Sequence, residues 1–136
     1  ALGAGIGPDR RLGPEARERA LGCLARFGQR LREVHPDSVR AVGTNALREA
    51  RDAGGFLEEA EARLGHPIEV IAGVEEARLI YLGVAHDVAD DSGRRLVVDV
   101  GGGSTELVVG ERFEPLRTVS LRMGCVSFSQ RFFPGG

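Results

Sequence analysis

Leu96-Val97-Val98-Asp99-Val100-Gly101-Gly102-Gly103-Ser104-Thr105-Glu106-Leu107-Val108-Val109 is the stretch that decides the fold. Two β-branched apolar runs flank a glycine-rich turn, which is the pattern of a β-hairpin. Glycines let the backbone approach a ligand closely and turn several N–H groups toward one point, making an anion-binding concavity. Asp99 and Glu106 add a second clue. An even-numbered loop, of two or four residues, sets them directly opposite each other; a loop of three or five does not. Like charges facing across strands are destabilising, and a bound divalent cation reverses that sign. Mg²⁺ characteristically takes one or two carboxylates plus substrate phosphates. The stretch points to phosphoryl chemistry, and a surface turn that happens to carry acids is the alternative.

The commoner phosphate binders do not fit. A Walker loop needs Lys after its last Gly, and the chain contains no lysine. A dinucleotide fingerprint leads into a helix, whereas here Thr105 and Glu106 lead into a strand. What remains is the strand–turn–strand phosphate hairpin of actin-like ATPases, sugar kinases and phosphatases.

Upstream, Pro14 suits the first turn of a helix, and Ala20, Leu24, Phe27, Leu31 and Val34 recur as one apolar stripe that His35-Pro36 should end. Cys23 flanks that stripe as a small core residue. A strand is expected over 39–42, then Gly43-Thr44-Asn45 turning into a helical stretch over 46–51. Asp52 is placed to cap a helix over 56–64 that stops at Gly65. A strand over 68–71 follows, then a helix opening at Ala72-Gly73 with Ala77, Ile80, Tyr81 and Val84 inward. Residues 86–95 read as a polar linker, 116–121 as a strand, and Met123-Gly124-Cys125 as a turn into an amphipathic stretch with Phe128, Phe132 and Phe133. Strands alternating with helices argue for a layered α/β domain. The change to consecutive hairpin strands near Ala85 divides the chain into domains 1–84 and 85–136.

Composition narrows the partners. The chain has 136 residues, 42% hydrophobic and 28% charged, with a formal net charge of −2, so no broad basic surface advertises nucleic acid. All 18 basic residues are arginine, the better side chain for bidentate phosphate contacts, although genome composition yields the same bias. No apolar run approaches the ~18 residues of a membrane span, and no export signal is visible. Cys23 and Cys125 form no C-x-x-C pair, which favours a reducing cytoplasm over a zinc site, and His35, His66 and His86 lack ligand spacing. The opening Ala1-Leu2-Gly3-Ala4-Gly5-Ile6-Gly7-Pro8 reads as a loop and not as the start of a domain, so the chain is expected to be a piece of something larger.

Three further residues bear on chemistry. Glu75 and Glu76 sit in the first turn of their helix, where acids complement the helix dipole; alternatively, one of them orients or deprotonates an attacking water. Arg48 lies at a helix start, where a cation is poorly placed unless it shares an anion with the amides there or pairs with a nearby acid.

Gly43-Thr44-Asn45-Ala46-Leu47-Arg48-Glu49-Ala50, Gly73-Val74-Glu75-Glu76-Ala77-Arg78-Leu79-Ile80-Tyr81-Leu82-Gly83-Val84 and the Asp99-to-Glu106 hairpin together resemble the exopolyphosphatase/guanosine pentaphosphate phosphohydrolase family. The closing block, Arg122-Met123-Gly124-Cys125-Val126-Ser127-Phe128 through Phe133-Pro134-Gly135-Gly136, and Gly103 resemble its exopolyphosphatase branch. The resemblance implies an actin-like, ribonuclease-H-type α/β fold, here most of a first domain without its N-terminal phosphate hairpin and the start of a second. It implies Glu76 as general base toward water, Asp99 and Glu106 as Mg²⁺ carboxylates, Gly101, Gly102, Gly103 and Ser104 as the phosphate-binding turn, and Arg48 as a substrate-phosphate contact. The implied reaction removes the terminal phosphate of inorganic polyphosphate. Guanosine pentaphosphate is the alternative substrate, and an actin-like ATP-binding protein is the alternative class. The resemblance further implies a cytoplasmic location, with peripheral membrane association as an option, and a homodimer for the full-length protein. The isolated piece is expected to be inactive.

Overall fold

The structure is a computed structural model that describes residues 2–89 and 93–134. By contacts the chain divides into two compact units, Ala1–Val70 and Ile71–Gly136.

In the first unit, helix α1 (Pro14–Leu31) starts behind Gly13 with Pro14 in its first turn, where a missing N–H costs nothing. Strand β1 (Ala41–Gly43) leads to the short helix α2 (Asn45–Glu49), then α3 (Ala53–Leu64) and strand β2 (Ile68–Val70). β1 and β2 pair in parallel, Ala41 with Ile68 and Gly43 with Val70. Such pairing requires a crossover, which α2 and α3 supply. Leu12, Leu21, Leu47, Ala50, Phe56 and Ala60 form the core.

Three expectations need correction here. The apolar stripe of α1 holds at Ala20 and Leu24, which pack against the core beside buried Ala16 and Leu21, but fails at Phe27, which is 52% exposed. The contact line runs through Gly28, where an added Cβ would lie 2.6 Å from the Arg63 carbonyl oxygen, so Phe27 is rotated off it. The helix also stops at Leu31, before His35-Pro36. Asp52 precedes α3 but makes no side-chain cap. Its carboxylate instead accepts the Leu12 amide at 3.2 Å, tying the N-terminal loop to the helix start. The stop at Gly65, with φ +77°, is as read.

In the second unit, helix α4 (Gly73–Asp87) covers an antiparallel sheet of β3 (Arg94–Val100), β4 (Thr105–Glu111) and β5 (Glu114–Leu121). Ala77, Tyr81 and Ala85 of α4 pack on Val97 and Val108, with Ile80 and Val84 alongside. The buried Tyr81 hydroxyl donates to the Arg112 carbonyl at 3.1 Å, so the ring fills the core without orphaning its polar end. α4 thus groups with the sheet by packing, whereas the sequence pattern changes character near Ala85. The strand pleat sends Leu96, Val98 and Val100 of β3 to the other face, where they are exposed. Of the expected linker, residues 90–92 lie outside the described residues, as do Gly135 and Gly136 of the closing block. Helix α5 (Cys125–Phe132) follows β5.

Candidate functional site

The hairpin register resolves the loop length left open by sequence. Val100 pairs with Thr105 and Asp99 with Glu106, so the loop has four residues, 101–104, and the two acids face each other. Directly opposed side chains share a face of the sheet, and this pair shares the face of Val97 and Val108, the one α4 covers. Glu106 is only 1% exposed. Its Oε1 accepts the Ser120 hydroxyl from β5 at 2.8 Å. Its Oε2 is buried with no hydrogen-bond partner among the described residues. A carboxylate oxygen left in that state is costly unless a cation or donor completes it. Among the described residues no group of three or more His, Cys, Asp or Glu is placed to hold a metal. A cation here would therefore complete its shell with water or substrate oxygens, as Mg²⁺ does.

The turn above these acids is braced from one side. The Gly101 amide donates to the Ser104 carbonyl at 2.9 Å and closes the loop, so this amide is not available to a ligand. The Gly101 carbonyl accepts the Cys125 amide at 2.9 Å, and the Gly102 carbonyl accepts those of Val126 at 2.9 Å and Ser127 at 3.1 Å. The first amides of α5, which a helix cannot satisfy internally, are thus satisfied by the turn. Among the described residues the amides of Gly102, Gly103 and Ser104 donate to no backbone carbonyl. The Thr105 hydroxyl donates to the Met123 carbonyl at 2.6 Å, joining the turn to the segment before α5 a second time.

Glu76 lies in the first turn of α4, partly buried, next to Ala77, whose side chain packs fully buried on the sheet. It therefore belongs to the helix covering the face that carries Asp99 and Glu106. Its neighbour Glu75 is committed elsewhere: its carboxylate takes the Arg78 guanidinium at 2.7 and 2.8 Å. That hydrogen-bonded pairing holds Arg78 above its ordinary pKa. Arg48 lies in the other unit, on α2, partly buried, with its amide bonded to the Thr44 carbonyl at 3.1 Å. Thr44 precedes α2 without a side-chain cap.

Sequence reasoning read Gly124 as a turn into the closing stretch but gave Ser120, Gly124 and Ser127 no part at the 101–104 turn. Each acts through a partner that β5 or α5 brings back from beyond the hairpin, and no local spacing marks it. The run Thr118-Val119-Ser120-Leu121 did carry one signal, a polar side chain on the inward-facing alternation of β5.

The described site is thus a four-residue glycine turn beside two opposed acids on an α/β scaffold, with the 102–104 amides donating to no backbone carbonyl among the described residues. The chain belongs to the Ppx/GppA phosphatase family, whose model matches residues 1–136. It is 50% identical over 132 residues to a guanosine-5'-triphosphate,3'-diphosphate pyrophosphatase of Vibrio vulnificus (strain YJ016), covering 97% of this chain and 26% of that protein. Among solved structures, an exopolyphosphatase-like protein matches 98% of this chain and 43% of its own at 36% identity with a TM-score of 0.90. The Aquifex aeolicus PPX-GPPA enzyme matches 98% and 44% at 34% identity with a TM-score of 0.80. The chain thus spans about a quarter of the curated relative's length. The fold is the actin-like α/β fold expected from the resemblance. The family expectation holds, but the curated relative carries the guanosine pentaphosphate name and not the exopolyphosphatase one. No helix among the described residues is long and apolar enough to cross a membrane.

Proposed function

We propose that this chain carries the phosphate-binding hairpin of a phosphoanhydride hydrolase acting on guanosine 5'-triphosphate 3'-diphosphate. The observation that carries the reading is the buried Glu106 carboxylate, with one oxygen unpartnered among the described residues, facing Asp99 beside a turn whose 102–104 amides donate to no backbone carbonyl among them. The substrate follows from the name of the 50%-identical relative. A second reading, terminal hydrolysis of inorganic polyphosphate, is favoured by the solved relative named exopolyphosphatase-like. The first names the substrate of closer relatives and is preferred.

Asp99 and Glu106 would hold Mg²⁺, which when bound supplies positive charge against the negative charge that builds on the phosphoryl oxygens. The amides of Gly102, Gly103 and Ser104 bind and orient the terminal phosphate, and the family resemblance assigns Arg48, in the first unit, a substrate-phosphate contact. Glu76 accepts a proton from water as the water oxygen attacks phosphorus. The bond from that phosphorus to the bridging oxygen breaks, the bridging oxygen keeps the electron pair, and orthophosphate leaves. Glu75 is unsuited to that task because both its oxygens hold Arg78.

Two measurements on a protein of the relatives' length carrying this chain test the reading. Phosphate release from guanosine pentaphosphate should exceed that from long-chain polyphosphate at matched concentrations of terminal phosphate; the reverse order selects the second reading. Glu76→Gln should lower kcat by about 10³-fold and leave KM nearly unchanged. Near-normal turnover would remove Glu76 from its role.

A further inference from the structure

We infer that helix α5 is a positioning element for the bound phosphate, acting through the two peptide groups that separate its N-terminus from the outer side of the 101–104 turn. The inference rests on that turn being the phosphate cradle and says what keeps the cradle aimed.

The planar trans peptide makes the connection. Its C=O and N–H point in opposite directions, and no cis bond occurs among the described residues. The peptide group whose carbonyl accepts the Cys125 amide is the one that carries the Gly102 amide. The next, whose carbonyl accepts the Val126 and Ser127 amides, carries the Gly103 amide. Fixing the two carbonyls on α5 therefore aims the two amides away from it. The positive end of the helix does not touch the anion. It polarises two peptide groups whose far ends do, and hydrogen bonds linked in this way strengthen one another.

Two residues hold the geometry. A Cβ on Gly124 would lie 2.5 Å from the Gly102 carbonyl carbon and from the Gly103 nitrogen, and 2.6 Å from the Gly102 oxygen. All three are backbone atoms of the turn itself, so no flexible side chain can yield. The Ser127 hydroxyl accepts the Gly124 amide at 3.1 Å and donates to the Gly124 carbonyl at 3.1 Å, pinning Gly124 to the start of α5. α5 buries no residue of its own, so its hydrogen bonds to the turn weigh heavily in holding its first turn in place. Gly124 and Ser127 are positioning residues and touch no substrate under this inference.

The test is a pyrophosphate titration of this chain followed by amide chemical shifts, with thermal melting recorded in parallel. The shifts of Gly102 and Gly103 should move, and those of Cys125, Val126 and Ser127 should move with the same apparent Kd. Gly124→Ala should weaken pyrophosphate about tenfold, Ser127→Ala about threefold, and Ser127→Thr should restore most of the loss. Should Gly124→Ala fail to fold, the Ser127 pair carries the test alone. A Ser127→Ala chain that melts lower yet binds pyrophosphate as tightly as before would make the serine a mere helix cap and overturn the inference. Absence of any pyrophosphate shift at Gly102 and Gly103 in the unsubstituted chain would instead overturn the phosphate reading, and the inference with it.

Discussion

Two stretches of this chain carry the proposed phosphate contacts, and they are built in opposite ways. The 101–104 turn has its Gly101 and Gly102 carbonyls tied to α5, its flanking Thr105 tied to Met123, and a buried carboxylate beneath it. α2 is five residues long, begins at a Thr44 that caps nothing with its side chain, and is anchored by buried Leu47 and by the Glu49–Arg10 ion pair at 2.7 Å. Arg10 is about half exposed in that pair, so solvent screening limits its contribution. The lesson is that amides face a ligand reliably only where their carbonyls are fixed on the other side. The turn meets this condition with three backbone hydrogen bonds, and α2 is held by buried Leu47 and by Arg10, whose guanidinium donates to both the Glu49 carbonyl and carboxylate. The turn is therefore assigned the chemistry and α2 a contact that assists binding.

The difference can be broken at either end. The largest effect is expected at the turn: in a protein of the relatives' length, Asp99→Asn should lower kcat by roughly 10²- to 10³-fold, because a transition-state charge loses its counterion. Steady-state kinetics at saturating Mg²⁺ checks this, and a loss confined to KM would shift Asp99 to simple binding. On α2, Arg48→Lys keeps the charge and removes the planar fork, so it should raise KM by about tenfold with kcat nearly intact. If the two variants proved equally damaging to kcat, the contrast between the regions would fail.

Smaller effects sharpen it in stability. Glu106→Gln removes a buried, half-partnered charge opposite Asp99, and should stabilise this chain without divalent cations by about 1 kcal/mol in urea melts. Destabilisation of that size would mean that the carboxylate has an unrecognised internal partner. Smallest of all, Gly83→Ala on α4, where an added Cβ meets nothing within 4 Å, should stabilise by about 0.5–1 kcal/mol through helix propensity alone. It should leave pyrophosphate binding unchanged, because it lies outside the bracing of the turn.

The sequence was most informative where a structural decision is local. The hairpin, the inner face of α4 and the stop at Gly65 follow from pattern and glycine placement within a few residues. The far end of the α1 stripe was not legible: Ala20 and Leu24 face the core as read, but Gly28 admits the Arg63 and Leu64 carbonyls and turns Phe27 out, and an apolar stripe cannot register the approach of another helix. Asp52 looked like a cap and serves the Leu12 amide instead, a partner 40 residues away. At the site, Asp99, Glu106 and the glycines announced themselves, while the loop length that makes the acids face each other needed the register. Gly124 was legible as a turn, but its part at the 101–104 turn, like those of Ser120 and Ser127, exists only once β5 and α5 return to it. The exopolyphosphatase branch, read from the closing block and Gly103, has no support in the name of the 50%-identical relative, which carries the guanosine pentaphosphate one.

The central claim is that Asp99 and Glu106 share a divalent cation beneath the turn. Paramagnetic broadening of the amide spectrum of this chain by trace Mn²⁺ tests it most directly. Broadening should centre on residues 98–107 in the unsubstituted chain and vanish from them in Glu106→Gln. Broadening that leaves those residues untouched, or that persists there in the variant, would contradict it.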